Sequence, residues 1–262
     1  MTDAAQGLVS IGIAGTLEPA AIAAVARAVE ECGFHALWVN DTPGGDALAA
    51  LAAAARVTDR LVLGTGVLPV DRHPADAILA RVRALALPED RLVLGLGAGQ
   101  LRDGVLERVG ETVRALRAGT SARVMIGALG PRMRRLAASV SDGPLFSWLP
   151  PAAAAAQAAE AHRAAPGAHV ALYVRTSLDA AGAARRDAEA AAYGGYAPYA
   201  ANFARLGITP GATVLPLPGD RDLAPGLAAY RASVDELVLR AIPGRDEPEA
   251  YVAFVRALAE RA

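Results

Sequence analysis

Residues 60–66 read RLVLGTG, and residues 91–97 read RLVLGLG. The two stretches start 31 residues apart (91 minus 60), and each is an apolar run of β type that ends in glycine. An amphipathic stretch that opens with proline lies between them, so the repeating unit has the length of a right-handed βαβ crossover. The repeat predicts an α/β fold with a parallel sheet. Glycines at the carboxyl ends of parallel strands let a ligand approach the backbone.

The chain has 262 residues, and a (β/α)8 barrel typically needs roughly 250. We therefore predict a single domain over residues 1–262. The 26 basic residues balance 27 acidic ones without a basic run, so we expect no nucleic-acid partner. All 26 basic residues are arginine, which excludes Schiff-base lysine chemistry.

The cysteine content and the arrangement of apolar segments indicate the cellular compartment in which we expect the protein. The single cysteine, Cys32, excludes an internal disulfide, and we expect a reducing, cytoplasmic location. We expect no export signal, because no basic segment precedes an apolar one near Met1, and no membrane association, because proline and glutamine break the most apolar stretches.

Apolar runs between turn signals predict eight strands, the number of a closed barrel. They lie near residues 8–15, 35–40, 61–67, 92–97, 123–127, 143–148, 168–176 and 235–240. Ten alanine-rich helical stretches alternate with them, and the surplus falls between the seventh and eighth strands. The fold class is therefore α/β, a single TIM barrel with a helical insertion between strands seven and eight.

Several phrases of the sequence occur together in a recognisable order. They are GFHALWVND at 33–41, LGTGVLP at 63–69 followed by RHP at 72–74, GLGAG at 95–99, GALGPRM at 127–133, SDG at 141–143 and SWL at 147–149. In order and spacing they resemble the luciferase-like monooxygenase superfamily, and within it the branch that uses the deazaflavin coenzyme F420. The resemblance implies a luciferase-like barrel, a homodimer, and F420 as cofactor, with FMN as the alternative.

Two departures from the family pattern stand beside this resemblance. Only residues 100–122 separate the fourth and fifth predicted strands, where the family has a longer segment. The F420-dependent sugar-phosphate dehydrogenases of the superfamily have Asp-His after strand two and Gly-Glu after strand four. This chain has Asp41-Thr42 and Gly99-Gln100 there, so sugar-phosphate oxidation is not expected.

The resemblance implies a cofactor site at the strand ends. It places a non-proline cis peptide at Gly66–Val67, whereas the local sequence alone favours a trans loop. The loop formed by Gly127, Ala128, Leu129 and Gly130 leads into a helix at Pro131 and offers backbone donors to a cofactor phosphate, to which Arg132 adds charge. The alternative for this loop is a plain strand-to-helix turn.

Other candidate residues close the second and fourth predicted strands. Asp41 is a candidate for catalysis and cofactor binding and Thr42 a weaker catalytic candidate, but either can instead satisfy a turn or helix cap. The further cofactor-binding candidates are Gly97, Gly99, Gln100 and His73, and the last of these also suits the start of a helix.

Two larger side chains, Trp148 and Arg175, are candidates for contact with a small organic substrate, although either can simply pack or form a salt bridge. No histidine has metal-like spacing with carboxylates, and we predict no metal site. The sequence thus predicts an oxidoreductase that passes hydride between F420 or a flavin and an organic substrate. The alternatives are a cofactor-binding or cofactor-free relative without turnover and, less consistent with the residues, an unrelated barrel lyase or isomerase.

Overall fold

A computed structural model of the chain describes residues 6–217, 219 and 222–261. The described part contains nine strands, all paired in parallel. They are β1 (Leu8–Ala14), β2 (Ala36–Asn40), β3 (Val62–Thr65), β4 (Leu68–Pro69), β5 (Leu92–Gly97), β6 (Arg123–Gly127), β7 (Pro144–Ser147), β8 (Ala171–Thr176) and β9 (Glu236–Ala241).

The strands close into a barrel. Their order is β3-β2-β1-β9-β8-β7-β6-β5-β4, and an additional pairing of β3 with β5 joins the two ends of the sheet. Segments β3 and β4 flank the bulge at Gly66–Val67, so together they form one of the eight strands of the barrel. The predicted (β/α)8 barrel is confirmed, and the largest difference at a strand start is Ala171 against the predicted 168.

Within the described ranges, ten α-helices surround the barrel. They are α1 (Pro19–Glu31), α2 (Ala47–Ala55), α3 (Ala75–Ala84), α4 (Val105–Gly119), α5 (Pro131–Val140), α6 (Pro151–Ala164), α7 (Ala180–Gly194), α8 (Ala197–Leu206), α9 (Ala224–Arg231) and α10 (Pro248–Ala259). Proline stands in the first turn of α1, α5, α6 and α10, where its missing N–H has no helical partner to lose. Asp46 and Asp179 cap α2 and α7 through their side chains. No helix in the described ranges is both long and apolar enough to cross a membrane.

The connections between strands differ in length where the sequence predicts it. Between β5 and β6 there is only α4, and between β8 and β9 there are α7, α8, a short 3-10 helix (Pro210–Thr213) and α9. The helices α7 and α8 carry an aromatic cluster that packs against Trp148 at the end of β7.

The barrel interior is filled by side chains from alternate strand positions. Trp38 and Tyr173 dominate it, with ring centroids 6.2 Å apart in an edge-to-face arrangement. Gly64 lies against the ring of Trp38, and any Cβ there would collide with it. The interior is therefore a packed core, and space for a ligand exists only where inward-facing positions carry small residues at the strand ends.

Candidate functional site

The carboxyl ends of the strands form a mouth with two unlike halves. On one side the last inward-facing positions of β3, β5 and β6 are Gly66, Gly97 and Gly127, which we call the glycine half. On the other side the last inward-facing positions of β7, β8 and β9 are Ser147, Arg175 and Arg240, which we call the arginine half. The period-two alternation that places Tyr173 inside the barrel also turns Arg175 inward.

The bulge between β3 and β4 lies at the centre of the glycine half. The Gly66–Val67 peptide is cis, as the resemblance implied, and Asn40 donates a hydrogen bond from Nδ2 to the carbonyl of Gly66. A Cβ at Gly97 would collide with Val67, and one at Gly127 would lie 3.3 Å from Val67 Cγ1. The two glycines therefore receive the Val67 side chain, which forms the surface that a ligand would meet here.

Tyr173 forms the floor beneath the bulge. Its hydroxyl abuts Gly66, where an added Cβ would collide with it, and it has no hydrogen-bond partner among the described residues. Burial raises the pKa of the Tyr173 phenol well above its ordinary range, so this hydroxyl stays protonated. It is available as a donor to a ligand atom placed over the bulge.

Asp41 follows β2, and its side chain is 3% exposed. Its Oδ2 accepts from Arg72 Nη2 at 2.9 Å and lies 2.8 Å from His73 Nε2, while its Oδ1 accepts from the N–H of Ala47 at 3.3 Å. The carboxylate therefore has protein partners on both oxygens. The side chains of both partners are more accessible, at 33% exposed for His73 and 46% for Arg72.

Two further polar atoms near the end of β2 lack partners. Asn40 Oδ1 and Thr42 Oγ1 are buried without a hydrogen bond in the described part of the chain. Buried polar atoms are almost always hydrogen-bonded, so unpartnered ones at a strand end mark a place where a ligand or water completes the set. The hydroxyl of Thr42 thus suits binding, and it lacks the basicity needed for proton abstraction.

The turn after β5 holds two of the predicted residues. Gly99 has φ of +63°, and a Cβ there would collide with the carboxylate of Asp71. The N–H of Gln100 donates to Asp71 Oδ2 at 2.7 Å, and both residues are exposed. In this structure, then, the two candidates meet Asp71, a residue that the sequence interpretation did not single out.

The loop between β6 and α5 differs from its prediction in detail. The N–H of Ala128 already donates to the carbonyl of Leu145 at 3.0 Å, so it is not free for a phosphate. Gly130 is the N-cap residue and Pro131 the first residue of α5, which leaves the first-turn N–H groups of α5 without helical acceptors. Arg132 is exposed, within reach of a ligand outside the mouth.

A different arginine of α5 is buried. Arg134 bonds the carboxylate of Glu160 on α6 at 2.8 Å and the carbonyl of Leu129 at 3.3 Å. It holds the loop against α6 and so has a structural function. Sequence spacing alone cannot distinguish Arg132 from Arg134, because both follow the same glycine-proline turn.

The arginine half contains both predicted substrate residues. Trp148 is 1% exposed with φ of +60°, a conformation that is rare for a bulky residue and costs about 1–3 kcal/mol. The Arg175 guanidinium lies 3.8 Å from the Trp148 ring centroid and bonds Ser147 Oγ at 2.6 Å. Its Nε bonds Glu189 of α7 at 3.0 Å. Trp148 Nε1 is buried and has no partner in the described ranges.

The other histidines lie at the opposite end of the barrel. His162 and His169 each lie 2.8 Å from a carboxylate oxygen, of Asp235 and Glu236 respectively. Burial lowers the pKa of His35, whose Nε2 has no hydrogen-bond partner among the residues that the structure describes. Within the described residues, no three histidine, cysteine, aspartate or glutamate side chains form a metal-binding group.

A surface cavity of about 420 Å³ also lies at this opposite end, lined by residues that include Leu8, Gly167 and His169. It is open to solvent and lies at the amino-terminal ends of the strands, where barrel residues serve stability. The ion pairs of the histidines explain its polar lining. We therefore place the candidate site at the mouth.

Sequence reasoning missed several mouth residues. They are Asn40, Asp71, Ser147, Tyr173, Glu189 and Arg240. Strand alternation could have found the four that occupy inward positions of β2, β7, β8 and β9. Asp71 and Glu189 come from a loop and a helix, and no local signal indicates which strand end they approach.

Comparisons with known proteins agree with this geometry. Residues 4–118 match the family model of luciferase-like monooxygenases. The predicted luciferase-like resemblance is confirmed. No curated protein matches the sequence significantly.

Solved structures resemble the barrel over nearly its whole length. An F420-dependent secondary alcohol dehydrogenase, in complex with an F420-acetone adduct, superposes with a TM-score of 0.73 at 15% identity, covering 98% of both chains. The F420-dependent tetrahydromethanopterin reductase from Methanopyrus kandleri gives 0.71 at 16% identity, with 98% of both chains covered. Monooxygenase RslO1 from Streptomyces bottropensis gives 0.66 at 19% identity, covering 97% of this chain and 98% of that one. These likenesses establish the fold, and the matched family is one of enzymes.

Proposed function

We propose that this chain is an oxidoreductase that uses a deazaflavin or flavin cofactor on a small organic substrate. The observation that carries the proposal is the glycine half of the mouth. There, three strand ends without side chains surround the Gly66–Val67 bulge, with the unpartnered hydroxyl of Tyr173 below it. A planar ring with polar edges fits such a surface, because backbone and Val67 offer a flat face and the unpartnered polar atoms offer hydrogen bonds.

The residues present fit such a cofactor. Val67 would support one face of the ring, and the unpartnered Asn40 Oδ1 and Thr42 Oγ1 would meet its polar edge or side chain. The first turn of α5, preceded by Gly130, would meet a phosphate with its free N–H groups, and exposed Arg132 would add charge. When bound, the cofactor supplies the redox chemistry, and the protein orients it and excludes water.

We propose F420 as the cofactor, with FMN as the alternative. F420 is named for two of the superposed structures, and a riboflavin lyase with modified FMN superposes with a TM-score of 0.70 at 11% identity. The phrases that resemble the F420 branch, such as GFHALWVND at 33–41, favour the first cofactor.

Within this proposal Asp41 positions His73. The enclosed carboxylate fixes the imidazole through Nε2, and the other ring nitrogen is left to exchange a proton at the mouth. Replacing His73 by Asn is expected to lower kcat at least about a hundredfold, which is the lower range of general acid–base catalysis, and to change KM little. A kcat equal to that of the wild type would remove His73 from the chemistry.

Equilibrium titration with F420, FMN and FAD tests the proposal. We expect F420 to bind in the micromolar range or tighter, and G127A to weaken it about tenfold, or ~1.4 kcal/mol, because the added methyl enters the glycine half. The control is G167A, at the opposite end of the barrel, where a Cβ meets no atom within 4 Å. If the folded protein binds none of the three cofactors, the proposal fails.

A relative that binds the cofactor without turnover is the second candidate function. The short β5–β6 connection, which contains only α4, and the exposed amide at Gln100 in place of an acid favour it. Tight cofactor binding without reduction or oxidation across a panel of alcohols, aldehydes and carboxylates would support this candidate over the enzyme.

Two further expectations accompany the proposal. The resemblance implies a homodimer, which sedimentation equilibrium would detect as twice the chain mass. The reducing compartment expected from the single Cys32 makes a cytoplasmic location part of the same proposal.

A further inference from the structure

Two inward-facing arginines stand side by side in the arginine half. Arg175 of β8 and Arg240 of β9 are paired positions of the parallel ladder. Adjacent like charges on one face of a sheet repel each other, and both guanidiniums are largely withdrawn from solvent. Such a pair attracts an anion.

In this structure the anion is a side chain of the insertion. Glu189 of α7 reaches into the mouth, with Oε1 3.0 Å from Arg175 Nε and Oε2 4.0 Å from Arg240 Nη2. Each carboxylate oxygen thus faces a different arginine. The side chain of Glu189 is 28% exposed, so the carboxylate lies where solvent reaches the mouth.

The charge state of Glu189 follows from its neighbours. Burial raises the pKa of its carboxyl, but the guanidiniums of Arg175 and Arg240 outweigh burial and hold the pKa below its ordinary value. The side chain is therefore a carboxylate at neutral pH.

A second observation at the same place indicates a ligand. Trp148 stacks against Arg175, and its buried Nε1–H has no acceptor among the described residues. A positive pair and an unused donor beside it together suit an oxygen-rich anionic group.

We propose that Arg175 and Arg240 form a carboxylate-binding subsite of the mouth, and that Glu189 occupies it until a carboxylate-bearing substrate displaces it. The substrate class is thus a small organic carboxylate that lies across the arginine half with its reacting carbon toward the glycine half. That the bound carboxylate is a substrate depends on the proposed oxidoreductase function. That a carboxylate binds at this subsite does not depend on it.

The displacement is feasible for α7 because other contacts hold that helix. Tyr193 packs on Trp148 at 4.8 Å between ring centroids and on Tyr199 at 4.8 Å. Loss of the Glu189 ion pair therefore leaves the insertion docked, and a rotation of the Glu189 side chain is enough to open the subsite.

Benzoate titration of the cofactor-free protein tests the proposal, with benzamide as the uncharged control. The chain has two tryptophans, so indole N–H resonances report separately on Trp148 and on Trp38 at the barrel core. We expect benzoate to shift the Trp148 signal and not the Trp38 signal. E189Q should bind benzoate at least tenfold tighter than the wild type, and R240M should lose the response.

The matched control is D187N on the same helix, because the Asp187 side chain is 61% exposed and contacts only Arg186. It should bind benzoate as the wild type does. If E189Q does not fold, E189D replaces it in the experiment. The aspartate keeps the negative charge but is shorter by one methylene, so we expect a smaller gain in benzoate affinity than for E189Q.

If benzoate binds no better than benzamide to the wild type and to the Glu189 variant that folds, the subsite proposal is wrong. Cofactor titration of the same proteins separates the two hypotheses. Benzoate binding without F420 or FMN binding would refute the oxidoreductase alone, and the reverse would refute the subsite alone.

Discussion

Glu236 lies inside the barrel, at the start of β9, and is 1% exposed. Its Oε1 accepts from Ser10 Oγ and Trp38 Nε1, both at 2.6 Å, and its Oε2 lies 2.8 Å from His169 Nε2. Burial raises the pKa of Glu236, but the three hydrogen bonds outweigh burial and the pKa lies below its ordinary value. A buried carboxylate with a lowered pKa stabilises the fold at neutral pH, and this stabilisation is lost as the pH falls through the folded-state pKa.

Replacing Glu236 by Gln should lower the free energy of unfolding by about 1–3 kcal/mol at pH 7, because an amide N–H₂ then faces His169. The difference from the wild type should shrink as the pH falls below the ordinary glutamate pKa, where the wild type loses the same contribution. Urea unfolding at several pH values measures both effects.

D235N serves as the control for that experiment, because Asp235 is more exposed and pairs with His162 across the surface. It should cost less than about 1 kcal/mol. A difference between E236Q and wild type that stays constant with pH would contradict the account of Glu236.

At the residue scale, the sequence predicted where some site residues lie along the strands, but it did not predict which side chains contact them. The position of Asp41 at the end of β2 was predictable, since strand ends follow from apolar runs. Its partners Arg72 and His73 come from the segment after β4, and only the folded chain brings them to it. The prediction of Asp41 as a catalytic residue stays a prediction.

At the scale of elements, the insertion between β8 and β9 is held to the mouth by aromatic rings. Tyr193 of α7 touches Trp148, Tyr196 and Tyr199, with centroid distances of 4.8, 5.4 and 4.8 Å. Aromatic pairs of this kind contribute about 0.5–1.5 kcal/mol each beyond the apolar area they bury. The cluster thus couples α7 and α8 to the end of β7.

Replacing Tyr193 by Ala should loosen the insertion and leave the barrel intact. We expect faster hydrogen exchange in α8 and in the 3-10 helix Pro210–Thr213, with unchanged protection in β5 and β6. Tyr196→Ala is the matched control, since Tyr196 is exposed and contributes fewer contacts. Equal loss of protection across the barrel would contradict this separation.

The elements themselves were the part most accessible to sequence reasoning. Apolar runs that end in glycine and helices that begin at proline are local signals, so strands and helices were placed within a few residues. The direction in which α7 points Glu189 is not a local property. It depends on how α7 packs over the mouth, which the spacing of Tyr193, Tyr196 and Tyr199 does not determine.

At the scale of the whole molecule, the barrel closes at the seam between β5 and the segments β3 and β4. Leu68↔Leu96 and Pro69↔Gly97 pair after the bulge, and Leu63↔Leu92 and Gly64↔Val93 pair before it. Next to them Thr65 reinforces the seam, because its Oγ1 accepts from the N–H of Gly95 at 2.9 Å and donates to its carbonyl at 3.1 Å. The bulge at Gly66 begins directly after this contact.

Thr65→Val should therefore lower the free energy of unfolding by about 1–3 kcal/mol, because two buried backbone groups of Gly95 lose their partner while the side-chain shape is retained. Thermal unfolding followed by circular dichroism measures the loss. Thr112→Val is the control, since the Thr112 hydroxyl bonds only the carbonyl of Arg108 in its own helix, and it should cost much less. Equal losses in both variants would contradict a special function of Thr65 in closure.

At this scale, the mouth of the barrel consists of two chemically different halves. A glycine half suited to a planar ring faces an arginine half suited to an anion, and the packed Trp38–Tyr173 core closes the barrel beneath them. The repeat of RLVLG indicated where backbone would be exposed, and the sequence offered Arg175 as a substrate candidate. The pairing of Arg175 with Arg240 emerged only when β8 and β9 lay side by side.

The decisive experiment is a crystal structure of the protein with bound F420. We expect ring density against Val67 between β3 and β6, with the phosphate near the first turn of α5. Ring density over Arg175 and Arg240 instead, or in the cavity beside His169, would show that the glycine half does not hold the cofactor.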